Sequence, residues 1–247
     1  MNMVQRKAPV FPMCKVAEYS VSASSTRRRS LVRAQIKQVL DDSEKRRWWY
    51  VEAKTEIRKY LRLPLSTRRD LTAGANRLRD SAASEAKKSK QDSLLGSARA
   101  IEAFAPIADS VRSDKVIASA GQREGARIQR GNVQIVVAPD LLLLERGTER
   151  VVGAIKLHAS QEFKLSGEAL LNASSILYTY LGEHGDHPVK AHCKVVDLFA
   201  PACEAAPASL KRRMQAVEAA CQEIEGWWDA MYDEIRLEME AKHRRAE

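Results

Sequence analysis

Apolar residues recur at helical spacing through the first half of the chain. From Thr26 to Asp42 they are Leu31, Val32, Ile36, Val39 and Leu40, the stripe of an amphipathic helix with one face to hide. A second helix, from about Glu44 to Leu63, gathers Tyr50, Ala53, Ile57, Tyr60 and Leu61. Pro64 ends it, because proline has no amide hydrogen with which to continue the ladder. Ser66-Thr67-Arg68-Arg69-Asp70 has the form of a helix start with an acid in the first turn, opening a weakly amphipathic helix to about Ser84. Ser84–Ser93, with Lys87, Lys88 and Lys90, has no apolar face and reads as a helix end or a flexible link. The helical period returns over Ser93–Arg112 in Leu94, Leu95, Ala98, Ile101, Ala103 and Phe104.

The period then changes. Val133, Ile135 and Val137 alternate with Gln134 and Val136, and Pro139-Asp140 leads into Leu141–Leu144, a run that reads as a strand. A turn around Gly147 separates it from a second strand, Val151–His158, in a hairpin. Ala126–Gln129 reads as a short strand ahead of them, set off by Gly131-Asn132. Ser166–Leu181 is a helix with Leu170, Ala173, Leu177 and Leu181 on one stripe, and Lys190–Phe199 is a last strand around Val195 and Val196. Near the C-terminus, Leu210, Met214, Val217, Cys221, Ile224, Trp228, Met231 and Ile235 alternate steps of four and three. That heptad seam predicts a long helix lying along a partner, either an N-terminal helix of this chain or a second copy in a homo-oligomer.

Composition narrows the class. At 45% hydrophobic and 30% charged residues the chain is too apolar for a disordered one, and 11 Gly with 8 Pro in 247 residues is too few for a loop-rich β-sandwich. The net charge of +9 is unevenly spread. Residues 1–130 hold 28 Lys+Arg against 14 Asp+Glu, a net of +14, and residues 131–247 hold 13 against 18, a net of −5. A basic half suggests a polyanion partner, nucleic acid being the commonest, with DNA placed ahead of RNA; a solvated basic surface is the plain alternative. Cys14, Cys193, Cys203 and Cys221 form no Cys-x-x-Cys pair, and no apolar run has signal-peptide or membrane-spanning length. These features predict a soluble intracellular protein, cytoplasmic or nuclear, with reduced thiols and no membrane partner.

The residues with chemical promise are Pro139-Asp140, on one strand, and Gly153-Ala154-Ile155-Lys156, on the next. From Ser93 onward the order is helix, three strands, helix, strand and long helix. Here the sequence resembles the PD-(D/E)XK nuclease superfamily, over about residues 93–200. Asp140 and Lys156 fit its signature, while Ala154 stands where the pattern has Glu, Asp or Gln. The resemblance implies an α/β fold: a basic, mostly helical region (1–92), then a restriction-endonuclease-like core (93–247) with a small mixed sheet flanked by helices and a long C-terminal helix.

It also implies metal-dependent phosphodiester hydrolysis with Mg²⁺ or Mn²⁺. Asp140 would hold the cation, the Ile155 carbonyl would supply another oxygen, and Lys156 would serve the attacking water. With Ala154 unable to supply the second acid, Glu168 is preferred for that role, ahead of Glu102. The alternative is a catalytically inactive nuclease fold that binds nucleic acid or assembles a complex. In the basic region, Arg27, Arg28, Arg29, Arg33 and Lys37 form a strip suited to phosphate contact.

Three other groupings carry less. His184, His187, His192 and Cys193 match no common zinc spacing and read as a polar loop entering a strand. Arg46-Arg47 beside Trp48-Trp49 combines cationic and stacking groups, although one Trp in the core and one covering an edge explains the pair better. The serine-hydrolase elbow, P-loop and dinucleotide fingerprints are all absent from the sequence.

Overall fold

The computed structural model of the chain describes residues 7–41, 49–113, 116–121 and 126–244. A short strand β1 (Val10–Pro12) leads into helix α1 (Met13–Val21) and helix α2 (Ser25–Leu40). Helices α3 (Val51–Arg62), α4 (Arg68–Ala83) and α5 (Lys88–Phe104) follow, then a 3-10 turn and the short α6 (Ala108–Val111). Strands β2 (Val116–Ala120), β3 (Arg127–Arg130), β4 (Val133–Val136), β5 (Leu141–Glu145) and β6 (Val151–His158) precede helix α7 (Gly167–Glu183). Strands β7 (Cys193–Asp197) and β8 (Ala202–Ala205) lead to the 35-residue helix α8 (Leu210–Arg244).

Local chemistry sets the helix starts. Ser24 accepts the Arg27 amide at 3.3 Å ahead of α2, and Ser166 accepts the Ala169 amide at 3.2 Å ahead of α7. Before α4, the Asp70 carboxylate takes the Thr67 amide at 2.7 Å, the arrangement that the Ser66–Asp70 segment predicts.

The strands form two mixed sheets. The larger has the order β2-β5-β6-β7-β8; its pairs are antiparallel except β6 and β7, which are parallel. Parallel neighbours need a crossover, and α7 supplies it. The smaller sheet, β1-β4-β3, pairs β1 with β4 in parallel and β3 with β4 antiparallel. An α/β fold with mixed sheets and a long C-terminal helix is therefore present, as expected.

Strand boundaries differ from the sequence reading in instructive ways. The apolar run from Val133 to Leu144 is two strands in two sheets, broken at Ala138, whose φ of 38° turns the chain from one to the other. Ala126–Gln129 belongs with β4 in the small sheet, not with the hairpin. The outer strand of the large sheet is Val116–Ala120, whose Ala and Ser residues give a weak strand pattern. The segment Val10–Val21 forms β1 and α1, and the expected last strand splits into a 3-10 turn and β7, with β8 added after it. The second expected helix begins at Val51 among the described residues; Arg46, Arg47 and Trp48 lie outside them, and Trp49 is exposed.

The large sheet is covered on both faces. One core joins α1, α2, α7, α8 and the small sheet; the other joins α3, α4, α5 and α6. Helices from 1–92 thus share both cores with later elements, so the boundary placed at residue 92 falls inside a packed unit. Along α8 the heptad positions Val217, Cys221, Ile224, Trp228 and Ile235 are buried in the first of these cores, so the seam is occupied by this chain's own α1, α2 and α7. Trp228 packs edge-on against Phe11, with centroids 5.8 Å apart, and donates its indole N–H to the Lys7 carbonyl at 2.9 Å. No helix among the described residues is long and apolar enough to cross a membrane.

Truncation of the fully buried Ile224 removes packed atoms and leaves a cavity. Ile224→Ala is expected to cost about 2–4 kcal/mol in urea unfolding, against less than about 0.5 kcal/mol for Leu237→Ala on the exposed side of α8. Equal effects would overturn the assignment of the seam to the chain's own core.

Candidate nucleic-acid interface

Asp140 sits one residue before β5, where the chain has just left the small sheet. Leu141 pairs with Ile155, so the antiparallel register carried one step further sets Asp140 opposite Lys156. The Asp140 amide donates to the Ile155 carbonyl at 2.9 Å, and its Oδ2 accepts the Leu157 amide at 2.8 Å. Two ammonium groups share the carboxylate: Lys156 Nζ is 3.7 Å from Oδ2, and Lys54 Nζ, from α3, is 3.4 Å from Oδ1. The sequence pairs Asp140 with Lys156; Lys54 arrives from a helix eighty-six residues earlier in the chain and was not anticipated.

The side chains are sheltered, with 9% of Asp140, 18% of Lys156 and 25% of Lys54 exposed. Burial pulls Lys54 below the ordinary lysine value, while the Asp140 carboxylate works to hold its proton on. Lys156 Nζ also donates to the Ala138 carbonyl at 2.5 Å. For a residue with a Cβ, the left-handed backbone at Ala138 costs about 1–2 kcal/mol, and the bond from Lys156 helps to hold it. Gly121 permits a close approach here: a Cβ on it would meet the Pro139 carbonyl and the Leu141 amide at 2.5 Å.

Asp140 lines a groove of about 660 Å³ between α3 and β2. One wall carries Arg58, Lys59 and Arg62; the other carries Ile117, Ala118 and Ala120. Lys54, Arg58 and Arg62 follow at four-residue intervals, so they line one side of α3. Arg58 bonds only within its own helix, to the Lys54 carbonyl and the Thr55 hydroxyl. None of Arg58, Lys59 and Arg62 forms an ion pair with a carboxylate among the described residues.

The other expected site residues lie elsewhere. Glu168, on the first turn of α7, is bound by Arg213 of α8. Glu102, exposed on α5, is bound by Arg79 of α4. The basic strip on α2 is largely engaged inside the chain. Arg27 pairs with Glu18 at 2.7 Å, Arg28 with Glu223 at 2.5 Å, and Arg33 with Glu234 at 3.1 Å and Glu238 at 2.6 Å. Arg29 lies over the Trp227 ring at 4.2 Å, and Lys37 remains exposed. These cations dock α2 on its neighbours, whereas Arg58, Lys59 and Arg62 on α3 have no carboxylate partner among the described residues.

The donor set does not fit Mg²⁺ or Mn²⁺. A hard cation needs several oxygen ligands, usually one or two carboxylates with water and substrate phosphate. Asp140 brings one carboxylate already faced by two ammonium groups, the Ile155 carbonyl is taken by the Asp140 amide, and Glu168 and Glu102 are held by arginines. Ala154 is wholly buried in the core beneath α1 and α7. Among the described residues no group of three or more His, Cys, Asp or Glu is placed to hold a metal ion, which includes the His184–Cys193 segment. Comparison with protein-family models, curated proteins and solved structures returns no match.

Removing the carboxylate would leave two sheltered ammonium groups facing each other. Asp140→Ala is expected to cost about 1–3 kcal/mol in urea unfolding, and adding Lys54→Met should recover part of it. Mn²⁺ at millimolar concentration should leave the Tm unchanged, because a site filled at a hundred times its Kd would add about 2.7 kcal/mol. A rise in Tm that Asp140→Asn abolishes would establish a cation site after all.

Proposed function

We propose that this chain binds nucleic acid in the groove between α3 and β2, as a nuclease-like core that does not carry metal-dependent hydrolysis. The observation that carries this reading is the line Lys54, Arg58 and Arg62 on one side of α3: Arg58 and Arg62 line the groove together with Asp140, and Lys54 and Lys156 pair with that carboxylate. Phosphate oxygens are satisfied by such cations, and contacts of this kind position a backbone without reading its sequence. The facing wall is small and apolar, with Ile117 half exposed, which leaves room for a sugar-phosphate strand and offers an apolar surface to its sugars or bases. The PD-(D/E)XK resemblance supports the same placement through Asp140 and Lys156, the two signature positions that it covers.

The hydrolytic reading rests on Asp140 and Lys156 facing each other on neighbouring strands. Against it stand the two ammonium groups on that one carboxylate and the arginine partners of Glu168 and Glu102. One set of measurements separates the two. Fluorescence anisotropy with labelled DNA and RNA, single and double stranded, is expected to show binding that weakens steeply with salt. The slope of log K against log[salt] should fall by about 0.7–0.9 for each of Arg58→Ala and Arg62→Ala, and stay unchanged for Lys37→Ala. Unaltered slopes in the α3 variants would overturn the groove. Incubation with Mg²⁺ or Mn²⁺ should leave the nucleic acid intact; cleavage lost in both Asp140→Ala and Lys156→Ala would restore the enzyme.

A further inference from the structure

Leu63-Pro64-Leu65 joins α3 to α4, and Leu63 is part of the groove lining. Leu65 is 94% exposed and Leu63 48%, so water rather than protein meets both leucines. Single exposed apolar residues are common on protein surfaces. What distinguishes these two is how firmly their backbone is held.

Arg112, which follows α6, grips the connection from behind. One of its guanidinium nitrogens donates to the Tyr60 carbonyl at 2.5 Å and to the Leu63 carbonyl at 3.1 Å; another donates to the Ser66 carbonyl at 2.8 Å. The guanidinium also lies over the Tyr60 ring at 4.1 Å, and Tyr60 is buried and donates to Asp109 at 2.8 Å. The Ser66 amide closes the turn on the Leu63 carbonyl at 3.1 Å, and the Thr67–Asp70 cap fixes the start of α4. The two leucines are therefore displayed by a rigid turn, and placing them against a partner costs little chain entropy.

The charge around the tip is positive. Arg58, Lys59 and Arg62 on the α3 side, and the exposed Arg69 in the first turn of α4, have no carboxylate partner among the described residues. The acids nearby are engaged: Asp109 takes Arg68 at 2.7 Å, Glu56 takes Arg77 at 2.8 Å, and Asp70 caps α4. The groove adjoins a second hollow of about 380 Å³, and Lys59 and Leu63 line both.

We propose that Leu63-Pro64-Leu65 is a wedge against the base stack, and that the form of nucleic acid this chain takes is a duplex with a single strand leaving it. The proposal rests on the groove reading and names the substrate of that groove. Leucine and proline are among the side chains that proteins press between base steps to unstack them. Leu65 covers the last base pair, and the departing strand runs past Leu63 with its phosphates on Arg62 and Arg58. A lipid surface also accepts apolar side chains ringed by cations. Two leucines and a proline form an edge, however, rather than the broad apolar face with which membrane-surface helices bind, and that edge continues into the groove wall.

The test uses fluorescence anisotropy of the full chain with three labelled DNAs of one sequence: single strand, blunt duplex, and duplex with a single-stranded overhang. The overhang duplex is expected to bind about tenfold more tightly than the blunt one, the scale of one leucine side chain leaving water. A 2-aminopurine in the last base pair should brighten on binding as it unstacks. Leu65→Ser, at a position that touches little of the fold, should lose both effects while keeping the single-strand affinity and its salt dependence. Equal affinity for the two duplexes, or a 2-aminopurine signal that Leu65→Ser leaves intact, would overturn the wedge, and retained single-strand binding would leave the groove standing. Failure to bind any of the three DNAs would overturn the groove and the wedge with it. Sedimentation with phosphatidylserine vesicles, abolished by Leu65→Ser, would overturn the wedge in favour of a lipid contact.

Discussion

The carboxylate of Asp140 ties together parts of the chain that are far apart in sequence. It takes an ammonium group from α3, another from β6 and an amide from β6, while its own amide closes the first rung between β5 and β6. Withdrawing an ion from water costs several kcal/mol, and attraction between charges alone does not reliably repay it. Here the backbone hydrogen bond and two cations share one carboxylate, and neither ammonium is fully withdrawn from solvent. The same cluster holds the left-handed turn at Ala138 through Lys156, and with it the passage from the small sheet to the large one. Loss of this anion would therefore disturb the sheet junction, the seat of α3 and the groove floor together.

Charge in this molecule acts first as internal glue. The basic first half suggested a polyanion-facing surface, yet Arg27, Arg28 and Arg33 on α2 are matched by Glu18 on α1 and by Glu223, Glu234 and Glu238 on α8. The acidic second half supplies many of the partners. A net charge of +14 over residues 1–130 measured how much of the chain's own acid lay downstream as much as it measured an external ligand. Along α3, Arg58, Lys59 and Arg62 have no carboxylate partner among the described residues, and they border the groove.

Much of the fold was legible because the periodicities were strong. The α8 seam, the β5–β6 hairpin around Gly147 and the Thr67–Asp70 helix start all follow from local spacing. Asp140 and Lys156 were legible as a pair because two apolar strands joined by a tight turn leave little choice of register. The rest depended on tertiary information. Val116–Ala120 has little strand character of its own and is a strand because β5 offers a free edge. Val133–Leu144 read as one strand because nothing in Ala138-Pro139 announces a change of sheet. Lys54 could have been marked by its four-residue spacing to Arg58 and Arg62, but its meeting with Asp140 required knowing where α3 lies.

The place of Lys54 bears on what this site can do. An ammonium group and a divalent cation both satisfy a sheltered carboxylate, and both attract phosphate oxygens. They differ in what they leave available. A metal ion retains open coordination positions and lowers the pKa of the water it binds, whereas an ammonium offers three hydrogen-bond donors and no Lewis-acid site. With Lys54 against Oδ1, Lys156 against Oδ2 and alanine at 154, the Asp140 carboxylate is met by two hydrogen-bonding cations. An arrangement of this kind supplies positive charge and hydrogen-bond donors rather than a Lewis acid.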